Sequence, residues 1–307
     1  MSLLTASEAK DKIAEQVSIA TDTLQIISAY CKIPAVEFID KNICNTLKEK
    51  KLMVRFLLSD IINGSSDLSL YEYCKTHSWQ MYVRFDLHAK TYIFDRSRCV
   101  LGSANLTSRG MNINFHGNYE LSTFAAIDAD DLKKIDLLFE NAILMTDELY
   151  SAMKTEYSNA TNSNMSSATK TQWSNSIECQ FNPKIDTLFT YDFPVTKTPD
   201  FNDINCFEFL EITHIPSQEE LFALLRWSKP FLWLYNFISN CDKKTSYFGE
   251  ITMNLHNALI NDPKPYRREV KELLSNLLGW IEALGIMDVV IDTPNYSQRV
   301  RIISGIS

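Results

Sequence analysis

The segment from Leu87 to Leu121, LHAKTYIFDRSRCVLGSANLTSRGMNINFHGNYEL, decides how the rest of the chain is read. Three polar pairs recur in it at a spacing of two: His88 with Lys90, Ser103 with Asn105, and Asn118 with Glu120. Side chains two apart on extended chain point to one face, so each pair presents both members together and successive strands can bring the pairs to one place. Tyr92, Ile93, Phe94, Val100 and Leu101 between them are apolar or aromatic, which predicts that buried strands rather than a solvated loop carry the pairs.

These residue types suit phosphate chemistry. A phosphodiester is anionic, so its oxygens need fixed donors, and Lys90, Asn105 and the Ser103 hydroxyl can supply them. A neutral imidazole is a nucleophile and a charged one protonates a departing oxygen, both near neutral pH. One histidine cannot do both at once.

Written as H-x-K-x4-D-x6-G-S-x-N and filled by His88, Lys90, Asp95, Gly102, Ser103 and Asn105, the segment resembles the phospholipase D superfamily signature without departure. Glu120 stands where that family usually carries a carboxylate on the next strand. The resemblance implies an α/β fold, a sandwich of a mixed sheet flanked by helices, and a metal-independent reaction without cofactor. In the family two copies of the motif face each other: one His attacks phosphorus to give a phosphohistidine, and the other protonates the leaving oxygen and then activates water. Glu120 would orient and polarise its own histidine, as a carboxylate does behind an imidazole elsewhere. Gly102 and Asn118 would support the site. Asp95 is expected to be structural, because its spacing from Lys90 puts it on the opposite strand face or in the following turn.

This chain has one copy, since none of His77, His116, His214 and His256 is followed two residues later by Lys. A complete site therefore implies a homodimer with two His88 side chains meeting across a two-fold axis. The alternative is a degenerate histidine from the C-terminal half.

A length of 307 residues is about two domains, and 45% hydrophobic residues is ordinary for a chain that buries a core. A net charge of -8 argues against non-specific coating of nucleic acid but leaves a local basic cleft open. Seven cysteines without a C-x-x-C pair predict buried free thiols rather than disulfides or zinc. The start, MSLLTASEAKDKIAEQ, lacks a basic segment followed by an apolar run, and no stretch has the apolar length of a membrane span, so a cytoplasmic protein without a membrane is expected.

Thr5 and Glu8 suggest a capping box that opens a helix, followed by a strand at Leu24–Ile27 and a helix after Pro34 with Val36, Ile39, Ile43 and Leu47 inward. Strands are expected at Leu52–Leu58, Trp79–Phe85, Leu87–Phe94, Cys99–Ser103 and Tyr119–Phe124, then a helix from Asp128. Residues 1–156 read as the catalytic domain and the Ser/Thr/Asn-rich 157–178 as a linker, with a lid over the site as its alternative. The remainder, 179–307, reads as a largely helical domain for DNA recognition or another interaction. It has strand candidates at Thr187–Tyr191 and Phe207–Ile212 and helices at Glu219–Trp227, Phe231–Ile238 and Tyr247–Ile260. Last come a helix over Tyr266–Leu284 stopped by Gly285, and a hairpin of Met287–Ile291 and Arg299–Ile303. A helix followed by a hairpin is similar to a winged-helix module. Tyr296, Arg299 and Arg301 would sit on the wing, Lys264, Arg267, Arg268 and Lys271 near the helix start, and Arg109 is a further candidate nucleic-acid contact. The plainer reading is a solvated helix face and an ordinary edge hairpin.

The leading expectation is a dimeric phosphodiesterase acting on nucleic acid, with DNA as substrate: a restriction or defence nuclease, with a helicase or methylase as candidate partner. A lipid phosphodiesterase or phosphatidyltransferase is the alternative. It is weaker because those enzymes usually carry two motifs and a membrane-facing apolar segment. A non-catalytic dimeric subunit of a DNA-processing complex is the third.

Overall fold

A computed structural model of the chain describes residues 3–113, 117–162 and 172–303, which divide between two units, Met1–Phe181 and Asn182–Ser307. In the first unit the strands are β1 (Leu3–Thr5), β2 (Thr23–Ser28), β3 (Glu49–Val54), β4 (Gln80–Val83), β5 (Lys90–Phe94), β6 (Arg98–Gly102), β7 (Leu121–Ala126) and β8 (Ile143–Leu144). The helices are α1 (Ala6–Ile19), α2 (Ile33–Asp40), α3 (Leu58–Ile62), α4 (Leu70–Thr76), α5 (Ala129–Glu140), α6 (Asp147–Asn162) and α7 (Asn175–Glu178). The strands form one sheet in the order β1-β7-β6-β5-β2-β3-β4-β8; β2, β3 and β4 pair in parallel, and the rest pair antiparallel.

Burial explains this mixed architecture. All six residues of β2 are buried, which requires neighbours on both sides and helices on both faces. On one face the row Ile26, Tyr92, Val100 and Phe124 runs across four strands, and α1 covers it with Lys12 lying 5.3 Å above the Phe124 ring. On the other face Ile27, Met53, Ile93 and Cys99 pack with Ile135, Leu138 and Phe139 of α5. Helix α1 opens where the Thr5 amide and hydroxyl each donate to Glu8 at 2.8 Å, and α5 opens where Asp128 accepts from the amides of Asp130 and Asp131.

Some expected elements are shorter. Helix α2 ends at Asp40 rather than continuing to Leu47, because the Asn42 side-chain amide turns back onto the Phe38 carbonyl. The strand expected to run to Leu58 leaves the sheet after Val54, and Leu58 already begins α3. Within 157–178, residues 157–162 are the last turns of α6, and the indole of buried Trp173 donates to the Phe56 carbonyl at 2.5 Å. The rest of that segment, 163–171, lies outside the described residues, and with it any lid.

The second unit contains α8 (Gln218–Trp227), α9 (Lys229–Ser239), β9 (Thr245–Tyr247), α10 (Phe248–Ala258), α11 (Arg267–Ala283), β10 (Val289–Asp292) and β11 (Arg299–Ile302). Its sheet runs β10-β11-β9, antiparallel throughout. Trp280 at its centre is fully buried, meets the rings of Phe207 and Phe209 edge-on and donates to the Thr196 carbonyl. Gly285, at φ 62°, follows the end of α11 in the left-handed region. The strands expected at Thr187–Tyr191 and Phe207–Ile212 are 3-10 turns instead (Thr190–Asp192 and Ile204–Leu210). Asp192 accepts from the Phe189 amide and Asp203 from the Asn205 amide, so local carboxylate bonds compete with strand pairing there.

Asp95 belongs to the scaffold. It sits just beyond β5 at the end away from Lys90, about 16 Å along the strand by its rise per residue. Its φ is 47°, and its carboxylate accepts from the amides of Thr21, Asp22 and Thr23 at 3.1, 2.8 and 3.2 Å. Asp95→Ala removes all three bonds and puts an alanine in the left-handed region, so urea denaturation should show a loss of about 1–3 kcal/mol. An unchanged midpoint would mean that water replaces the carboxylate without cost.

Candidate active site

Register brings the polar pairs to one end of the sheet. Ser28 pairs with both Val54 and Lys90, Thr91 with Leu101, and Gly102 with Ser122. The parallel strands β2 and β3 therefore leave the sheet where β5 enters, β6 leaves and β7 enters, the kind of end at which α/β sheets bind ligands. The pairs are not on buried strands as the alternation suggested. His88, Ser103 and Asn118 are exposed and lie just outside β5, β6 and β7, where Ser103 keeps one backbone bond across to the Leu121 carbonyl at 3.0 Å.

Asn105 is the most firmly held of them. Its side-chain carbonyl accepts from the Tyr30 amide at 3.1 Å, the next amide (Leu106) donates to Ser28 Oγ at 2.8 Å, and the Leu106 carbonyl accepts from Lys32 at 2.9 Å. Buried Tyr92 donates its hydroxyl to the Ala104 carbonyl from below. With the carbonyl committed, the Asn105 side-chain NH2 has no hydrogen-bond acceptor among the described residues. Gly110 allows this packing, because a Cβ there would come within 2.4 Å of the Asn105 backbone carbonyl oxygen. Gly102 plays the same part at the end of β6, where a Cβ would meet the Leu121 carbonyl at 2.4 Å.

Glu120 is placed differently from the expectation. One carboxylate oxygen takes a short hydrogen bond from the Ser103 hydroxyl, and the other accepts from Asn118 Nδ2 at 3.1 Å. Ser103 Oγ in turn accepts from the Leu121 amide at 3.1 Å. Glu120 thus ties the loops after β6 and before β7 together, and among the described residues no side chain hydrogen-bonds to the His88 ring.

Lys90 donates to the His88 carbonyl at 2.6 Å and has no ion-pair partner among the described residues. Burial draws its pKa below the usual lysine range, with the Arg55 charge adding to the effect and Glu120 opposing it. The Lys90 ammonium is in turn the largest influence on His88, holding the imidazole below its ordinary value together with desolvation and Arg55. The neutral, nucleophilic form of His88 is thereby favoured.

Arg55 was not singled out in the sequence; its position just after a parallel strand is the signal that could have found it. Its guanidinium bonds Asp60 through Nε and Nη2 at 2.8 and 2.9 Å, donates to the Tyr30 hydroxyl at 2.8 Å and stacks 4.9 Å from the Tyr30 ring. Beside this cluster a cavity of about 730 Å³ opens, with Asn105 and Asn118 in its wall and Tyr30, Lys32, Ser108 and Arg109 around it. Lys32 is paired with Asp67 at 2.7 Å, whereas Arg109 is exposed and has no ion-pair partner among the described residues.

In the second unit the candidate phosphate contacts fall into two groups. Arg299 reaches Asp292 with Nε and Nη2 at 2.8 and 2.7 Å, and Arg301 reaches it at 2.9 Å, so the hairpin occupies both guanidinium groups rather than presenting them free. A carboxylate directly opposite on the paired strand explains this. Lys264, Arg267, Arg268 and Lys271 are exposed without ion pairs among the described residues, and Tyr296 is fully exposed. Among the described residues no three His, Cys, Asp or Glu side chains gather as metal ligands, and no helix is long and apolar enough to cross a membrane.

Residues 13–142 match the family described as "cardiolipin synthase, PLD-like domain". No curated protein sequence matches the chain. Among solved structures, NucT from Helicobacter pylori is 16% identical over 47% of this chain and 98% of its own, with a TM-score of 0.35. Nuc from Salmonella typhimurium, a phospholipase D family member, is 11% identical over 45% of this chain and 91% of its own, with a TM-score of 0.34. Phosphatidylserine synthase from Haemophilus influenzae is 14% identical over 57% of this chain and 46% of its own, with a TM-score of 0.39.

The influence of Lys90 on His88 can be measured directly. In Lys90→Met the imidazole should titrate at higher pH than in the unaltered protein, as followed by its ring resonances in NMR. An equal or lower midpoint would show that burial or Arg55, not Lys90, sets its protonation.

Proposed function

We propose, from the match of residues 13–142 to a phospholipase D-like family model, that the protein hydrolyses nucleic-acid phosphodiester bonds in a site shared by two identical subunits. The observation that carries the reading is the group of donors with hydrogens to spare at one sheet end. Among the described residues the Lys90 ammonium lacks a carboxylate partner and the Asn105 side-chain NH2 lacks an acceptor, at the same sheet end as an imidazole biased toward its neutral form. Such donors hold the non-bridging oxygens of an attacked phosphodiester.

The His88 imidazole attacks phosphorus, forming a P–N bond as the bond to the leaving oxygen breaks. His88 of the partner subunit gives that oxygen its proton. Now neutral, the same ring takes a proton from water, whose oxygen displaces the His88 nitrogen from phosphorus. The two-fold arrangement is supported by the single H-x-K pair of the chain and by the engagement of His214 with Glu220 and of His256 with the Pro265 carbonyl. His77 stacks on Tyr73 and contacts its carbonyl, and His116 lies outside the described residues. Ser103, Glu120 and Asn118 act as a brace that fixes the loops carrying the donors, with Gly102 permitting their approach.

Among the described residues the lining of the cavity beside Asn105 carries the Tyr30 ring and several hydrogen-bonding side chains, which suits a nucleotide. A lipid phosphodiester is the second reading, supported by exposed Leu101, Tyr119 and Leu121 next to Ser103 and Glu120. The order helix α9, strand β9, helices α10 and α11, then the β10–β11 hairpin supports a winged-helix reading of the second unit, with Lys264, Arg267, Arg268 and Lys271 as its phosphate contacts.

DNA should be cleaved in EDTA, with His88→Ala at least about a thousandfold slower. Turnover of phosphatidylcholine vesicles without DNA cleavage would move the assignment to the lipid reading. Sedimentation should show a dimer at micromolar concentration, and a strict monomer that still cleaves DNA would end the shared-site scheme. The rate should fall at both pH extremes, because one imidazole must be neutral and the other charged.

The second unit has its own test. Arg268→Ala combined with Lys271→Ala should weaken DNA binding about equally for all sequences and lower the salt slope by roughly two, one for each phosphate no longer neutralised. An unaltered slope would leave these cations as a solvated helix face.

A further inference from the structure

The cavity next to Asn105 is larger than a phosphate needs. At about 730 Å³ it lies within the roughly 300–1,000 Å³ of sites that take a small organic molecule. Its wall carries an aromatic ring, donors and acceptors together. Tyr30 is held by Arg55 on one side and by its own amide bond to Asn105. Thr107 Oγ1 accepts from the Gly110 amide at 3.1 Å, leaving the hydroxyl hydrogen to donate, and Asp67 supplies a carboxylate already anchored by Lys32 and the Ile33 amide. Arg109 stands on the same wall as a cation without a carboxylate partner among the described residues. A ring to lie against, mixed donors and acceptors, and a cation beside them match a nucleoside with a further phosphate attached.

We propose that this cavity is a subsite for the nucleoside on one side of the scissile phosphate, received unstacked from its neighbours against Tyr30, with Arg109 taking the next phosphate along the strand. The subsite deepens the nuclease reading and rests on it. It makes binding of the substrate local: one nucleoside and two phosphates, rather than a long duplex face, supply most of the affinity at this end of the sheet.

Three chromogenic diesters with one leaving group test it: the p-nitrophenyl esters of thymidine 5′-monophosphate and thymidine 3′-monophosphate, and methyl p-nitrophenyl phosphate. One nucleoside ester should have a kcat/KM at least tenfold above the methyl ester, mostly through a lower KM. Ser108→Trp, which fills the cavity, should collapse that ratio to below about twofold.

Because the variant could misfold, the second measurement uses His88→Ala protein titrated with thymidine monophosphates and with inorganic phosphate. One nucleotide should bind at least tenfold tighter than phosphate. Equal kcat/KM for the three esters together with equal binding of nucleotide and phosphate would overturn the subsite. If DNA is cleaved with no nucleoside preference, the subsite falls and the nuclease reading stands. If the preference holds while DNA is untouched, the subsite stands and the substrate is a small nucleotide diester.

Discussion

The hydrogen bond from the Tyr30 amide to the Asn105 side-chain carbonyl is the constraint on which the geometry of this sheet end depends. A side-chain amide has one acceptor oxygen and one NH2, and committing the oxygen to a backbone N–H fixes which way the NH2 faces. The bond also joins the turn after β2 to the loop after β6, elements far apart along the chain. Leu106 to Ser28 and Lys32 to Leu106 repeat the join on either side. A loop outside a strand would otherwise be mobile; here three bonds to the end of a fully buried strand give it the rigidity of the core.

The electrostatics follow from which charges are already paired. Arg55 is matched by Asp60, and both oxygens of Glu120 are taken by Ser103 and Asn118. Lys90 has no ion-pair partner among the described residues, although the Glu120 charge acts on it from a distance, and its own charge is the largest influence on His88, pushing the ring toward the neutral form. An anion entering the site would reverse this influence, raising the proton affinity of the imidazole as it binds. A whole-chain charge of -8 coexists with such a site because Coulomb forces near a surface are local and screened within about 10 Å.

The fold of the first unit was legible in the sequence because apolar runs and turn signals are local, and because a six-residue motif at fixed spacing has few competing readings. The position of Asp95 away from the site followed from odd spacing alone. The exposure of His88 and the bonding of Glu120 were not legible. Both depend on where the ladders end and on which neighbour reaches a carboxylate first, and those are tertiary facts. Tyr30, Arg55 and Asp67 were missed for the same reason: each follows a different element, and only the parallel pairing of β2 with β3 brings the first two together. In the second unit the amphipathic helices and terminal hairpin were readable from period, whereas 187–191 and 207–212 look like strands by composition, and 3-10 turns at 190–192 and 204–210 form there beside the local bonds of Asp192 and Asp203.

The cations of the second unit show how structural and unpaired charges can be told apart. Arg299 and Arg301 hold Asp292 across the hairpin, so drawing either onto a phosphate would first break a close ion pair. Arg267, Arg268 and Lys271 have no such partner among the described residues, and they lie in the first turns of the seventeen-residue helix α11. Positive charge there opposes the helix dipole, at about 0.3–1 kcal/mol per group, and Glu269, already bonded to the Tyr266 amide, offsets only part of it. A helix that needed these residues only for solubility would gain by carrying them at its other end. Their placement against the local field is what a bound phosphate would reverse, because an anion at that terminus is favoured by the dipole and by the cations together.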